Sequence, residues 1–178
     1  MRKLILYHGT SEENAKLIEK EGFVSDKKYN WHIKSKKGFV YLSSAYSPFY
    51  AMNSVKNSDK LALIKCEVLE KDCYPEDDFI MYCLKKQSYT QEELDEVSLK
   101  KNKFLWKESL RYMGNIAVKP EDIKILGVKY FDGSKLIFKC DPVISPINFK
   151  IMGEYYMRLT EWIYQGNEIM NFPNFMSI

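Results

Sequence analysis

Apolar positions along the chain fall into short β-prone runs and into helically spaced sets, and the switches between them mark the elements. Residues 3–8 (KLILYH) are apolar and β-prone, which predicts a strand. Gly9-Thr10-Ser11 interrupts it. Ser11 precedes Glu12, Glu13 and Asn14, the arrangement of an N-cap with acids in the first turn, where the positive end of the helix dipole favours them. Ala15, Leu17 and Ile18 give the helix an apolar face, and Gly22 supplies a C′ stop. The opening unit reads as strand, turn, helix.

That order repeats after a basic stretch, residues 27–37 (KKYNWHIKSKK), which reads as an exposed loop holding one buried aromatic, Trp31. From Gly38, GFVYLSS predicts a second strand, and Ser47-Pro48-Phe49-Tyr50-Ala51 predicts a helix with proline in its first turn. Leu61 to Leu69 (LALIKCEVL) is a third strand, and the acidic Pro75 to Phe79 (PEDDF) follows as a loop. Gln91 to Met113 has helical spacing around Leu94, Val97, Leu105, Trp106 and Leu110, with Thr90 as N-cap and Gly114 as terminator. NIAVKP, IKILGVKYF and KLIFKC supply three more strands, the last two joined through Asp132-Gly133, a hairpin signal. A helix over Gly153 to Gln165 is expected in a C-terminal tail, residues 147–178, packed on the core. The pattern predicts an α+β fold of about six strands and about two to four helices in one domain spanning 1–178.

Composition narrows the chemistry. The 178 residues are 46% hydrophobic and 29% charged with a net charge of +3, which excludes disordered and collagen-like classes and announces no concentrated basic face for nucleic acid. Arginine occurs only as Arg2, Arg111 and Arg158, so bidentate phosphate readout has few donors. Cys66, Cys73, Cys83 and Cys140 form no CxxC pair and the histidines are two, His8 and His32, so no metal site is expected. No run of 18 apolar residues and no signal-type leader is seen; a cytoplasmic protein with reduced thiols and no membrane partner is expected. Neither a P-loop nor GxGxxG is present.

Three polar stretches fall at the ends of predicted strands: Tyr7-His8-Gly9-Thr10-Ser11, Gly38-Phe39-Val40-Tyr41-Leu42-Ser43, and Ser47-Pro48-Phe49-Tyr50-Ala51. In this order they resemble the ADP-ribosyltransferase superfamily, in particular its histidine-tyrosine-glutamate branch, to which diphtheria toxin and the poly-ADP-ribose polymerases belong. The resemblance covers the first third of the chain most closely. It implies a split β-sheet core with flanking helices, NAD as substrate held between the two halves, and transfer of ADP-ribose to a protein or nucleic-acid acceptor. It further implies that His8 bonds the hydroxyls of the nicotinamide ribose, that the Gly9 backbone pairs with the nicotinamide carboxamide, and that Tyr41 packs against the ring. Ser47 would bond the carboxamide and Tyr50 stack on the second ring face, with Thr10 and Ser43 as further NAD-binding residues.

The third motif departs from the pattern. The resemblance places a glutamate at the start of the fifth strand, where this chain has Asn115, an amide that can bond a ribose hydroxyl but carries no charge and is no base. Glu108, in WKESL, is the nearest carboxylate that could stand in; Asp77, Asp78 and Glu121 are weaker candidates. The expected function is NAD-dependent mono-ADP-ribosyl transfer, with a role as a toxin or host–phage conflict factor and a cognate inhibitor protein as a further partner. The alternatives are an NAD glycohydrolase and a non-catalytic module that holds NAD or ADP-ribose. An RNA 2′-phosphotransferase, which the same superfamily contains, would use arginines that are scarce here.

Overall fold

The computed structural model describes residues 2–24, 38–54, 60–80, 105–136 and 152–173 of the chain. In chain order the elements are β1 (Lys3–Ser11), α1 (Glu12–Glu21), β2 (Val40–Ser43), α2 (Ser47–Asn53), β3 (Lys60–Leu69), β4 (Cys73–Pro75), α3 (Asp77–Phe79), α4 (Leu105–Met113), β5 (Asn115–Val118), β6 (Lys124–Asp132) and α5 (Glu154–Tyr164). The strands form one antiparallel sheet in the order β4-β5-β2-β1-β3-β6.

Strand alternation sorts the core onto the two faces of this sheet. Leu6, Leu42, Ile64, Val68, Ile116 and Val118 pack with Ala15 of α1 and Trp106 of α4 on one face. Leu61, Leu63 and Phe131 pack with Phe49 of α2 and with Tyr156 and Leu159 of α5 on the other. Because both faces are covered, the interior strand β3 reads as the nearly continuous apolar run LALIKCEVL and not as an alternation. No helix among the described residues is long and apolar enough to cross a membrane.

The expected caps are in place. Ser11 Oγ accepts the Asn14 N–H at 3.2 Å, and Gly22, at φ 78°, donates its N–H to the Ile18 carbonyl at 2.9 Å. Gly114, at φ 70°, follows α4 and gives its N–H to Leu110.

Two expectations are corrected. Strand β1 runs through Gly9-Thr10-Ser11, because that segment pairs with Leu61–Leu63 of β3. Residues 73–75 form a strand, β4, and the acids that follow begin the short α3; pairing with β5, which is not a local property, makes them so. Gly133–Lys135 is a 3-10 turn in which the Asp132 carboxylate accepts the Ser134 N–H at 2.9 Å, and the strand expected after it, KLIFKC, lies outside the described residues from residue 137 on. Thr90, the first part of the helix expected from Gln91, Trp31, His32, the basic loop 27–37, Cys83 and Cys140 lie outside the described residues.

Candidate functional site

The sheet is weakest between β1 and β2. Strand β1 is in register with β3 from Lys3 opposite Leu69 to Ser11 opposite Leu61, and β2 with β5 from Val40 opposite Val118 to Ser43 opposite Asn115. The two halves join through one pair, Tyr7 opposite Ser43. Beyond it, from His8 to Ser11, β1 is paired along β3 alone, and the unpaired interval between this edge of β1 and β2 is termed the wedge.

His8 bridges the narrow end of this wedge. Its Nδ1 lies 3.0 Å from the Tyr41 carbonyl oxygen, and since a carbonyl only accepts, Nδ1 carries the proton of the neutral ring. Burial depresses the imidazole pKa and the bond to Tyr41 opposes that in part, so the ring is neutral near pH 7. Nε2, which has no hydrogen-bond partner among the described residues, is thereby an acceptor for a hydroxyl. The edge of Phe23 stands against the ring, with centroids 5.3 Å apart.

Gly9 is demanded by helix packing. A Cβ built there would lie 1.7 Å from the Ser47 carbonyl oxygen and 2.8 Å from the Ala51 nitrogen, so the α2 backbone rests directly on β1. Ser47, fully buried, gives its hydroxyl proton to the Tyr7 carbonyl at 2.8 Å; what remains is acceptor capacity, suited to an amide NH₂. Ser43 is spent on structure: its Oγ donates to Gly114 O at 2.9 Å and accepts the N–H groups of Ala45 and Tyr46, fixing the turn from β2 into α2. Thr10 is buried opposite Ala62.

Asn115 opens β5, as its place in the sequence required. Its Nδ2 donates to the Tyr50 hydroxyl at 2.5 Å, while Oδ1, in a residue only 3% exposed, has no hydrogen-bond partner among the described residues. A buried amide oxygen left so costs about 1–3 kcal/mol unless a ligand or water supplies a donor. Burial, then the neighbouring Glu76, holds the Tyr50 phenol far above its ordinary pKa and therefore neutral. Tyr41 and Ser43 leave the sheet on the same face as Asn115, and the Tyr41 phenol donates to Asp77.

Glu76 is the site residue that sequence reasoning missed. It follows β4, one residue past the pair Pro75 opposite Ile116, and so comes beside Asn115. Where a ladder bond would run, the Ser109 hydroxyl of α4 stands instead: it accepts the Glu76 N–H at 3.0 Å and donates to the Asn115 carbonyl at 2.7 Å. Glu76 is 8% exposed, and its carboxyl accepts the Phe79 N–H at 3.2 Å. Burial, then Asp78, pushes its pKa up to about 8.

The residues are thus gathered in two groups: His8, Gly9 and the Tyr41 backbone along the wedge, and Tyr50, Asn115 and Glu76 beside it under α2. Glu108 joins neither. It lies one position away from the buried Ser109 on α4, with its carboxylate 3.6 Å from Arg111. Glu121 sits in the turn Pro120–Asp122 after β5. Burial raises Cys66 and Cys73 to about 12, which removes them as nucleophiles at neutral pH. The chain matches no protein-family model, no curated protein and no solved structure.

Proposed function

We propose that the wedge between β1 and β2 binds NAD and that the protein is a mono-ADP-ribosyltransferase acting on a macromolecular acceptor. The observation that carries this reading is the single-pair junction of the two half-sheets, with HGT on one wall and Tyr41 on the other. In this reading the nicotinamide carboxamide lies along the open edge of Gly9, the ring between Tyr41 and Tyr50, and the ribose hydroxyls within reach of His8 Nε2. A neutral imidazole with Nδ1–H fixed on a carbonyl is a hydroxyl acceptor, which the ribose requires and a phosphate does not. Cleavage of the glycosidic bond develops positive charge at the anomeric carbon, and neutral aromatic faces with acidic groups nearby are the complement of that transition state.

Nicotinamide release from NAD tests the proposal. His8→Ala is expected to abolish it while the protein remains folded; no release by the wild type, with no rise in melting temperature when NAD is added, would sink it.

A second reading, a module that binds NAD or ADP-ribose without turnover, is favoured by Asn115 at the start of β5 and by Glu108 turned to Arg111. Stabilisation by NAD with no nicotinamide released distinguishes it.

A further inference from the structure

We propose that Glu76 is the proton-accepting carboxyl of this cleft, delivered from the end of β4 in place of one at the start of β5. The inference rests on the NAD reading above and names the base for that same site. Four observations converge. Glu76 stands beside Asn115, one residue past the last β4–β5 pair. Ser109 fixes both backbones, through the Glu76 N–H and the Asn115 carbonyl. Tyr50, hydrogen-bonded to Asn115, feels the Glu76 charge. The amide oxygen of Asn115, in a residue 3% exposed, still wants a donor, which marks the spot as a place for a hydroxyl-bearing ligand.

The step balances without a further reagent. The bond from the ribose C1′ to the nicotinamide nitrogen breaks, and its electron pair leaves on nicotinamide, which departs neutral. The oxygen of water or of an acceptor hydroxyl bonds C1′, and the proton it sheds passes to ionised Glu76. The groups facing Glu76 are Asp77 and Asp78 of α3, Tyr50 of α2, Ser109 of α4 and Asn115 of β5; the two aspartates oppose its ionisation, and among the described residues no lysine or arginine assists it. Its pKa of about 8 therefore makes turnover rise with pH through that value.

The test is Glu76→Gln, which keeps an acceptor oxygen for the Phe79 N–H. NAD affinity is expected to stay within about threefold while kcat for nicotinamide release falls ~100-fold or more and loses its alkaline rise. Asn115→Glu added to Glu76→Gln, moving the carboxyl one strand across, is expected to regain about tenfold or more. Turnover by Glu76→Gln within about threefold of wild type overturns the proposal. So does a wild-type kcat that is flat from about pH 6 to about pH 9, a measurement that decides the matter even if the variant does not fold. Wild-type protein that binds NAD and never cleaves it overturns this proposal alone. Failure to bind NAD overturns the parent reading with it.

Discussion

Strand β1 has two edges built on different principles. The edge toward β3 is a complete ladder whose side chains, among them Leu6, Leu61, Leu63 and Ile64, are sealed into cores on both faces. The edge toward β2 has one ladder pair and is closed by substitutes: an imidazole on the Tyr41 carbonyl, a serine hydroxyl on the Tyr7 carbonyl, a helix backbone seated on Gly9. Repetitive backbone bonding makes one edge rigid and chemically silent. Replacing it with side-chain bonds leaves the other edge room for a ligand and groups to meet it.

Substitutions on the two edges are expected to separate stability from binding, in decreasing order of effect. Ile64→Ala, on the sealed edge, leaves a cavity at a fully buried position and is expected to cost about 2–5 kcal/mol by denaturant titration, with NAD affinity of the folded fraction unchanged. A matching loss of affinity would show that the edges are not independent. Gly9→Ala, on the open edge, forces α2 away from β1 and is expected to cost about 1–3 kcal/mol and to abolish nicotinamide release, since Ser47 and Tyr50 move with the helix. Ser109→Ala strips one hydrogen bond each from the Glu76 N–H and the Asn115 carbonyl, both buried, and is expected to cost about 1–2 kcal/mol. Glu108→Gln breaks only a partly exposed pair with Arg111 and is expected to change stability by less than about 0.5 kcal/mol and turnover not at all.

The pH dependence of folding sharpens the same contrast through Glu76 and His8, two groups of the open side whose protonation is shifted by burial. Glu76 has its pKa raised from 4.5 to about 8, so the native state holds its proton more tightly than the unfolded chain; the resulting stability is complete below about pH 4.5 and is lost as pH rises through about 8. His8 is lowered from 6.5, so its contribution is present above that value and is lost as pH falls. Urea midpoints measured across this range are expected to fall on the alkaline side in wild type and to fall less in Glu76→Gln. An unchanged alkaline slope in the variant would assign the titration elsewhere.

Much of this was legible in the sequence where the determinants are local. The Ser11 cap, the acids behind it and Gly22 fix α1 within a dozen residues, and the apolar run of β3 declares a strand covered on both faces. His8, Tyr41, Tyr50 and Asn115 stand out through the order of the motifs that hold them, although only Asn115 opens a strand; His8 and Tyr41 lie within β1 and β2, and Tyr50 within α2. What sequence could not supply depends on distant partners. PEDDF looks like a solvated acidic loop until β5 pairs with residues 73–75 and draws Glu76 under α4. Nothing within five residues of Glu76 signals its burial; Ser109 on the apolar face of α4 was the one available sign of a polar group to be satisfied there. Gly9, read as an opening for a ligand, proves to be first a seat for a helix.

The contact between the Ser47 carbonyl and Gly9 has a consequence for mutational tolerance. In most proteins a binding position can be varied while the fold is held constant, which is how selection or a screen separates the two. Here the atom missing at residue 9 is what lets α2 reach β1 at all, so a library at that position would yield unfolded protein and inactive protein as one class. At positions 8, 41 and 50 the constraint lies in side-chain bonds and not in a missing atom, so any retuning of this cleft toward another ligand begins with them.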